Sequence, residues 1–247
     1  MRKVAIVNLV FWIMKICATT LGETGGDLLS MTLNIGYGLS SVVLICFFIV
    51  TLIVQLRLKK YNPIVYWLVI LSTSTAGTTM SDYMDRTLGL GYAMGTLILL
   101  TLLATILIVW WKSEKSLSVT NINSFRPELF YWTTILFSNT LGTALGDYLA
   151  DDSGLGFAGG AILIGSLILF TVLAKYFTNI SRVLLFWIAF VLTRPFGATF
   201  GDLLTKPIEK GGLNLGTIGS SLVLFGILLV FVVYAVINER KHKTMVE

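Results

Sequence analysis

Eight apolar runs recur along the chain, at about residues 4–22, 36–57, 63–81, 91–111, 128–146, 157–177, 181–201 and 215–237. Each has about the 18–22 residues that an α-helix needs to cross roughly 30 Å of hydrocarbon. Core helices of water-soluble proteins are rarely this long and this evenly apolar. Charged residues make up only 13% of the chain, and mean hydropathy is +0.85. The expected class is an all-α integral membrane protein of eight transmembrane helices, with the lipid bilayer as its first partner. The first run follows basic residues as a secretory leader does, but no small-x-small cleavage pattern follows, so it is read as a mature helix.

Where every second run begins to leave hydrocarbon, a glycine stands five residues before an aspartate. The pairs are Gly22 with Asp27, Gly77 with Asp82, Gly142 with Asp147, and Gly197 with Asp202. The glycines are 55, 65 and 55 residues apart, so the simplest unit is a two-helix hairpin duplicated twice. On this reading residues 1–115 form a first half, residues 116–247 a second, and a polar linker around residues 111–127 takes up the longer middle interval. A hairpin contains an even number of crossings. All four repeats therefore run the same way, related by axes along the membrane normal, as a pseudo-fourfold or twofold-of-twofold ring.

Small residues four apart share one helix face and let backbones approach closely. The rising helices carry Gly22/Gly26, Gly77/Ser81, Gly142/Gly146 and Gly197/Gly201, and the returning helices carry Gly36/Ser40, Gly91/Gly95, Gly156/Gly160 and Gly216/Ser220. Eight such pairs at matched register predict tight packing in the outer half of the bundle. The fourth loop is longer than the others and holds Lys206, Pro207, Glu209, Lys210, Gly211 and Gly212. It is read as a surface insertion, with a lid as the alternative.

Charge sets the orientation. Thirteen of the eighteen basic residues, among them Arg2, Lys3, Arg57, Lys112, Lys175 and Lys241, fall at the chain ends or in the even-numbered loops. Nine of the thirteen acids lie on the other side. By the positive-inside rule both termini are cytoplasmic and the aspartates face outward. The net charge of +5 follows from this asymmetry, and no nucleic-acid partner is expected. Trp12, Trp67, Trp110, Trp111, Trp132 and Trp187 lie mostly toward the cytoplasmic side and read as an interfacial belt.

Four carboxylates at one register point to a shared site, because ionisable groups at such a depth are costly. One turn before each aspartate stands Glu23, Thr78, Thr143 or Ala198. Turned inward, these residues offer carboxylate and hydroxyl oxygens, which suit a hard divalent cation such as Mn²⁺ or Mg²⁺. Asp27, Asp82, Asp147 and Asp202 are the expected ligands, with Glu23, Thr78 and Thr143 assisting. Carboxylates so confined need a counter-cation or bound protons. Arg194, whose counterparts are Thr19, Ser74 and Asn139, is expected to reach a motif carboxylate; Lys15, deeper in the first helix, is expected to snorkel. Asp85, Asp151, Asp152 and Glu209 read as a solvated acidic mouth. The only histidine, His242, lies in the tail, and Cys17 and Cys46 are read as isolated buried thiols, so a zinc or copper centre is not expected. No nucleophile, zinc-protease, phosphate-loop or dinucleotide pattern is present, and an enzyme is not expected.

The repeated Gly-x4-Asp segments on an eight-helix layout resemble a group of small bacterial membrane proteins described as repeat-containing and membrane-anchored, over nearly the whole chain. The resemblance implies a bacterial inner-membrane location and carries no site residue. From the residues themselves, the leading expectation is a transporter or channel for a small divalent cation, with proton exchange. The alternatives are a membrane scaffold or sensor, whose motifs only pack helices, and then a membrane hydrolase.

Overall fold

A computed structural model describes residues 3–244, the side chains of Asn121 and of residues 242–244 excepted. Arg2 of the charge count, and the side chains of His242 and Lys243, lie outside the described residues. Eight long helices follow one another: α1 Leu9–Asp27, α2 Tyr37–Arg57, α3 Pro63–Asp82, α4 Tyr92–Glu114, α5 Phe125–Asp147, α6 Gly156–Phe177, α7 Arg182–Thr205 and α8 Thr217–Thr244. Among the described residues there is no strand.

Local chemistry fixes several ends. α1 begins later than its apolar run because the Asn8 side chain accepts the Phe11 N–H at 2.9 Å and caps the helix. Asn62 does the same for α3, with Pro63 in the first helical position. α1, α3 and α5 end on their motif aspartates and pass into five-residue π-helical turns, Leu28–Thr32, Tyr83–Thr87 and Tyr148–Asp152. Gly36, Gly91, Gly156 and Gly216 then open the returning helices at φ between +68° and +82°. A Cβ at these four positions would meet nothing within 4 Å. They are turn glycines, not the packing glycines expected of them.

The odd-numbered helices form a closed inner ring, α1–α3–α5–α7 and back to α1. Small residues allow the approach. A Cβ on Gly22 would lie 2.1 Å from Ser74 Oγ, one on Gly77 2.9 Å from the Thr140 nitrogen, one on Gly142 2.3 Å from Arg194 Cγ, and one on Gly197 2.6 Å from Thr19 Oγ1. Gly26 meets Thr78, Gly146 meets Ala198, and Gly201 meets Glu23. Ser81, the exception to glycine at this place, is fully buried and bonds Asp85. Each repeat thus uses its motif face against the next repeat around the ring.

The hairpin expectation needs correcting at this point. α2 packs on α3, α4 on α5, α6 on α7, and α8 closes the circle on α1. The two helices of one repeat make little contact with each other. With the small faces consumed inside the ring, the grooves left for the returning helices lie one position further around, and the π-turn and loop carry the chain there.

The outer helices present large apolar side chains to the surroundings, including Leu39, Val42, Leu97, Ile162, Phe170, Leu222 and Val230. Such an exterior suits hydrocarbon rather than water. By length and apolarity, α2, α4, α6, α7 and α8 are fit to cross a membrane, at mean hydropathies from 1.7 to 2.7. α1, α3 and α5 fall short because their inward faces are polar: Lys15, Thr19, Glu23, Thr73, Ser74, Thr78, Asn139 and Thr143 are at most 2% exposed. Cys17 is buried and donates to the Leu224 carbonyl, whereas Cys46, expected to be buried, is exposed.

Candidate functional site

Because ring helices bring residues four apart onto one inward face, the axis is built in layers. The outermost holds Asp27, Asp82, Asp147 and Asp202, all buried at 5% exposure or less. Two bases divide it. Arg86 places Nε 3.1 Å from Asp82 Oδ1 and Nη2 3.1 Å from Asp147 Oδ2, while Lys206 places Nζ 2.6 Å from Asp27 Oδ2 and 3.1 Å from Asp202 Oδ1. Each base stands one turn after the aspartate of its own helix and reaches across to the neighbouring helix. Burial opposes the charge on both. Asp82 and Asp147 around Arg86, and Asp202 and Asp27 around Lys206, outweigh it and hold each base above its ordinary range.

Part of the counter-charge that the confined carboxylates were expected to need is thus supplied by the chain itself. Lys206 belongs to the long fourth loop, which folds back on the end of α7: Leu213 N–H donates to the Leu203 carbonyl at 2.7 Å, and a Cβ on Gly212 would collide with the Lys206 carbonyl. That loop enters the site rather than decorating the surface. Asp85, expected in a solvated mouth, is buried and accepts from Ser81 Oγ at 3.3 Å; Asp151, Asp152 and Glu209 are exposed as expected.

One turn inward lie Glu23, Thr78, Thr143 and Ala198. Arg194, from α7, closes this layer. Its Nη1 donates to Glu23 Oε2 at 2.9 Å, and its Nη2 donates to Thr143 Oγ1 at 2.7 Å and to Thr78 Oγ1. Arg194 thus reaches a carboxylate within the first motif segment, as expected, and the one it takes is Glu23, joined by two hydroxyls. Its stem lies across Gly142 and directs the guanidinium over the axis, one turn below the aspartates. Glu23, Asp147 and Asp202 each offer an oxygen within 4.8 Å of the others, which ties this layer to both aspartate pairs.

Deeper still, Asn139 donates to Thr73 Oγ1 at 3.0 Å and accepts from Lys15 Nζ at 3.2 Å. The ammonium lies 4.2 Å from the centre of the Phe190 ring. Lys15 does not snorkel. It is wholly buried, because a carbonyl oxygen and an aromatic face inside the ring hold its head.

An aromatic floor closes the axis. The hydroxyls of Tyr66 and Tyr131 lie 2.5 Å apart, and Trp67, Trp132 and Trp187 pack around them at 4% exposure or less. Trp110 joins them, so most of the tryptophans expected in an interfacial belt are core residues, and only Trp111 is well exposed. The sequence carries an overlooked signal for this floor. Phe11-Trp12, Tyr66-Trp67, Tyr131-Trp132 and Phe186-Trp187 stand eleven and ten residues before their motif glycines. Beneath it the segment before α1 folds across the end of the ring, with Lys3 paired to buried Glu128 and Gln55 donating to the Lys3 carbonyl at 3.3 Å.

No curated protein and no solved structure matches the chain. A Repeat of Unknown Function (DUF347) matches it four times, over residues 10–61, 65–116, 130–181 and 185–241. Every match takes in one rising helix with its aromatic pair, glycine and aspartate, and the returning helix after it. These matches cover most of the sequence, and the chain belongs to the DUF347 repeat family.

Proposed function

We propose that this protein is an integral membrane carrier for one small divalent cation, Mn²⁺ or Mg²⁺, taken up by the aspartate layer and exchanged against protons. In this reading all eight helices cross a bacterial inner membrane, both termini are cytoplasmic, and the aspartates open outward. The bilayer and the cation are its partners.

One observation carries the reading. Four buried aspartates share two built-in cations, while Glu23 is matched by Arg194. Two negative charges in the outer layer are left over. One divalent cation or two protons balance that charge, and hard carboxylate oxygens are the donors such a cation takes. Below the layer, Arg194, Lys15 and the aromatic floor occupy the axis. A filled axis favours a carrier, in which cargo crosses by rearrangement of the repeats, over an open channel.

The test is to replace each motif aspartate by asparagine, confirm a monodisperse fold in detergent, and measure Mn²⁺ flux into proteoliposomes. Asp147→Asn and Asp202→Asn, beside Glu23, are expected to lower flux at least about tenfold, on the scale of losing one charge at ligand distance. A second reading, a scaffold whose aspartates only clamp helices, draws on the ion pairs made by Arg86 and Lys206. It requires that wild-type protein carry no cation and that the asparagine variants lose thermal stability instead.

A further inference from the structure

The position one turn beyond each motif aspartate differs among the repeats: Met31, Arg86, Asp151 and Lys206. Only the second and fourth repeats place a base there, and these two bases lie at opposite interfaces of the ring. Arg86 bridges α3 to α5 and Lys206 bridges α7 to α1. Of the two interfaces between them, α5 to α7 has no base in this layer among the described residues, and there Asp147 and Asp202 bring oxygens within 4.8 Å of each other and of Glu23. Acceptor capacity is also left open. Asp82 is 2% exposed, and among the described residues its Oδ2 has no partner and its Oδ1 is held by ion pairing alone. A buried carboxylate oxygen that makes no hydrogen bond calls for a cation or a proton.

We infer that Arg86 and Lys206 set the charge of the cargo. By neutralising two of the four motif aspartates from opposite sides, they leave a charge that a divalent ion matches, a monovalent ion underfills and a trivalent ion overfills. This rests on the carrier reading above and adds to it the residues that fix selectivity. A base held at ion-pair distance by two buried carboxylates is a fixed charge, not a mobile counter-ion. Removing one of the two shifts the balance by a full unit at close range, where charge is weakly screened.

The experiment uses the full chain in detergent and equilibrium binding of Mn²⁺ and La³⁺. Lys206→Met introduces the residue that the first repeat has at this position, Met31, and removes one cation. Its preference for La³⁺ over Mn²⁺ is expected to rise at least about tenfold over wild type, the scale of one charge at this separation. Lys206→Arg keeps the charge and is expected to keep the wild-type preference. Lys206→Met combined with Asp202→Asn restores the original balance and is expected to bring the preference back. Arg86→Met repeats the test from the opposite interface. If wild type binds Mn²⁺ and both methionine variants bind with an unchanged preference, the inference falls and the carrier reading stands. If wild type binds neither ion, both fall. Loss of fold in both methionine variants makes the bases structural clamps and overturns the inference.

Discussion

Asp85 stands where two other repeats have a hydroxyl. Ser30 and Thr205, at the same place three residues after their aspartates, donate back to the carbonyls of Gly26 and Gly201 at 2.8 and 3.0 Å. An ionised carboxylate cannot make that bond. Asp85 instead accepts from Ser81 and leans on the backbone of Gly95, where a Cβ would lie 1.8 Å from its Oδ1. Burial pushes its carboxyl up to about 6, against smaller opposing effects of the Ser81 hydrogen bond and Arg86. An acid raised on folding contributes stability below its unfolded value, near 3.8, and loses that contribution as pH rises through about 6. Asp85→Asn is therefore expected to raise the thermal midpoint at pH 8 and leave it nearly unchanged at pH 4. Thermal unfolding in detergent at both values checks this, and a lower midpoint at pH 8 would count against burial as the dominant effect. The sequence marked the unusual charged residues but not which helix each would reach across to. Arg194 was visible as the odd member of its register, yet its partner depends on how α7 turns against α1, and only the packed ring fixes that rotation.

At the scale of elements, the close faces of the ring helices were legible because glycine at helical spacing has few other uses within a long apolar helix. Gly77 and Gly197 face backbone atoms of the next helix at 2.9 and 2.8 Å from a built Cβ, and backbone cannot swing away. Gly77→Ala and Gly197→Ala should each lower stability by about 1–3 kcal/mol through overpacking. Gly219 and Gly226 in α8 face open space. Alanine there should be neutral or stabilise by up to about 1 kcal/mol through helix propensity. Thermal unfolding of the four variants separates the groups, and similar losses in all four would refute the ring contacts. Pairing of the returning helices was not legible in the same way. α2, α4, α6 and α8 are apolar on nearly every face, so no stripe in their sequence says which neighbour each one covers. Gly36 and its equivalents looked like packing residues because spacing alone does not separate a first helical glycine from a turn glycine at positive φ.

The whole molecule combines a fourfold backbone with chemistry of lower symmetry. Regular intervals of 55, 65 and 55 residues made the fourfold part readable, since one structural unit repeats. Arg86 and Lys206 reduce it to twofold, and Glu23 with Arg194 and Lys15 with Asn139 remove even that. The segment ahead of α1 departs furthest from the repeat. α1 and α5 stand diagonally across the ring, yet Lys3 reaches Glu128 on α5 and the Leu56 carbonyl at the end of α2, with Val4 buried beside it. Counted only as one of the positive flanking charges, Lys3 gave no hint that it ties the first repeat to the third. Removing one member of a buried pair leaves the other charge stranded, which costs about 3–5 kcal/mol. Glu128→Gln and Lys3→Met should each destabilise on that scale, and the double variant should be less destabilised than the sum by at least about 1 kcal/mol. A cycle of four unfolding curves measures this coupling. Additive effects would mean that the segment does not fasten the diagonal helices, and this end of the ring would then owe its closure to the aromatic floor of Tyr66, Tyr131 and their tryptophans.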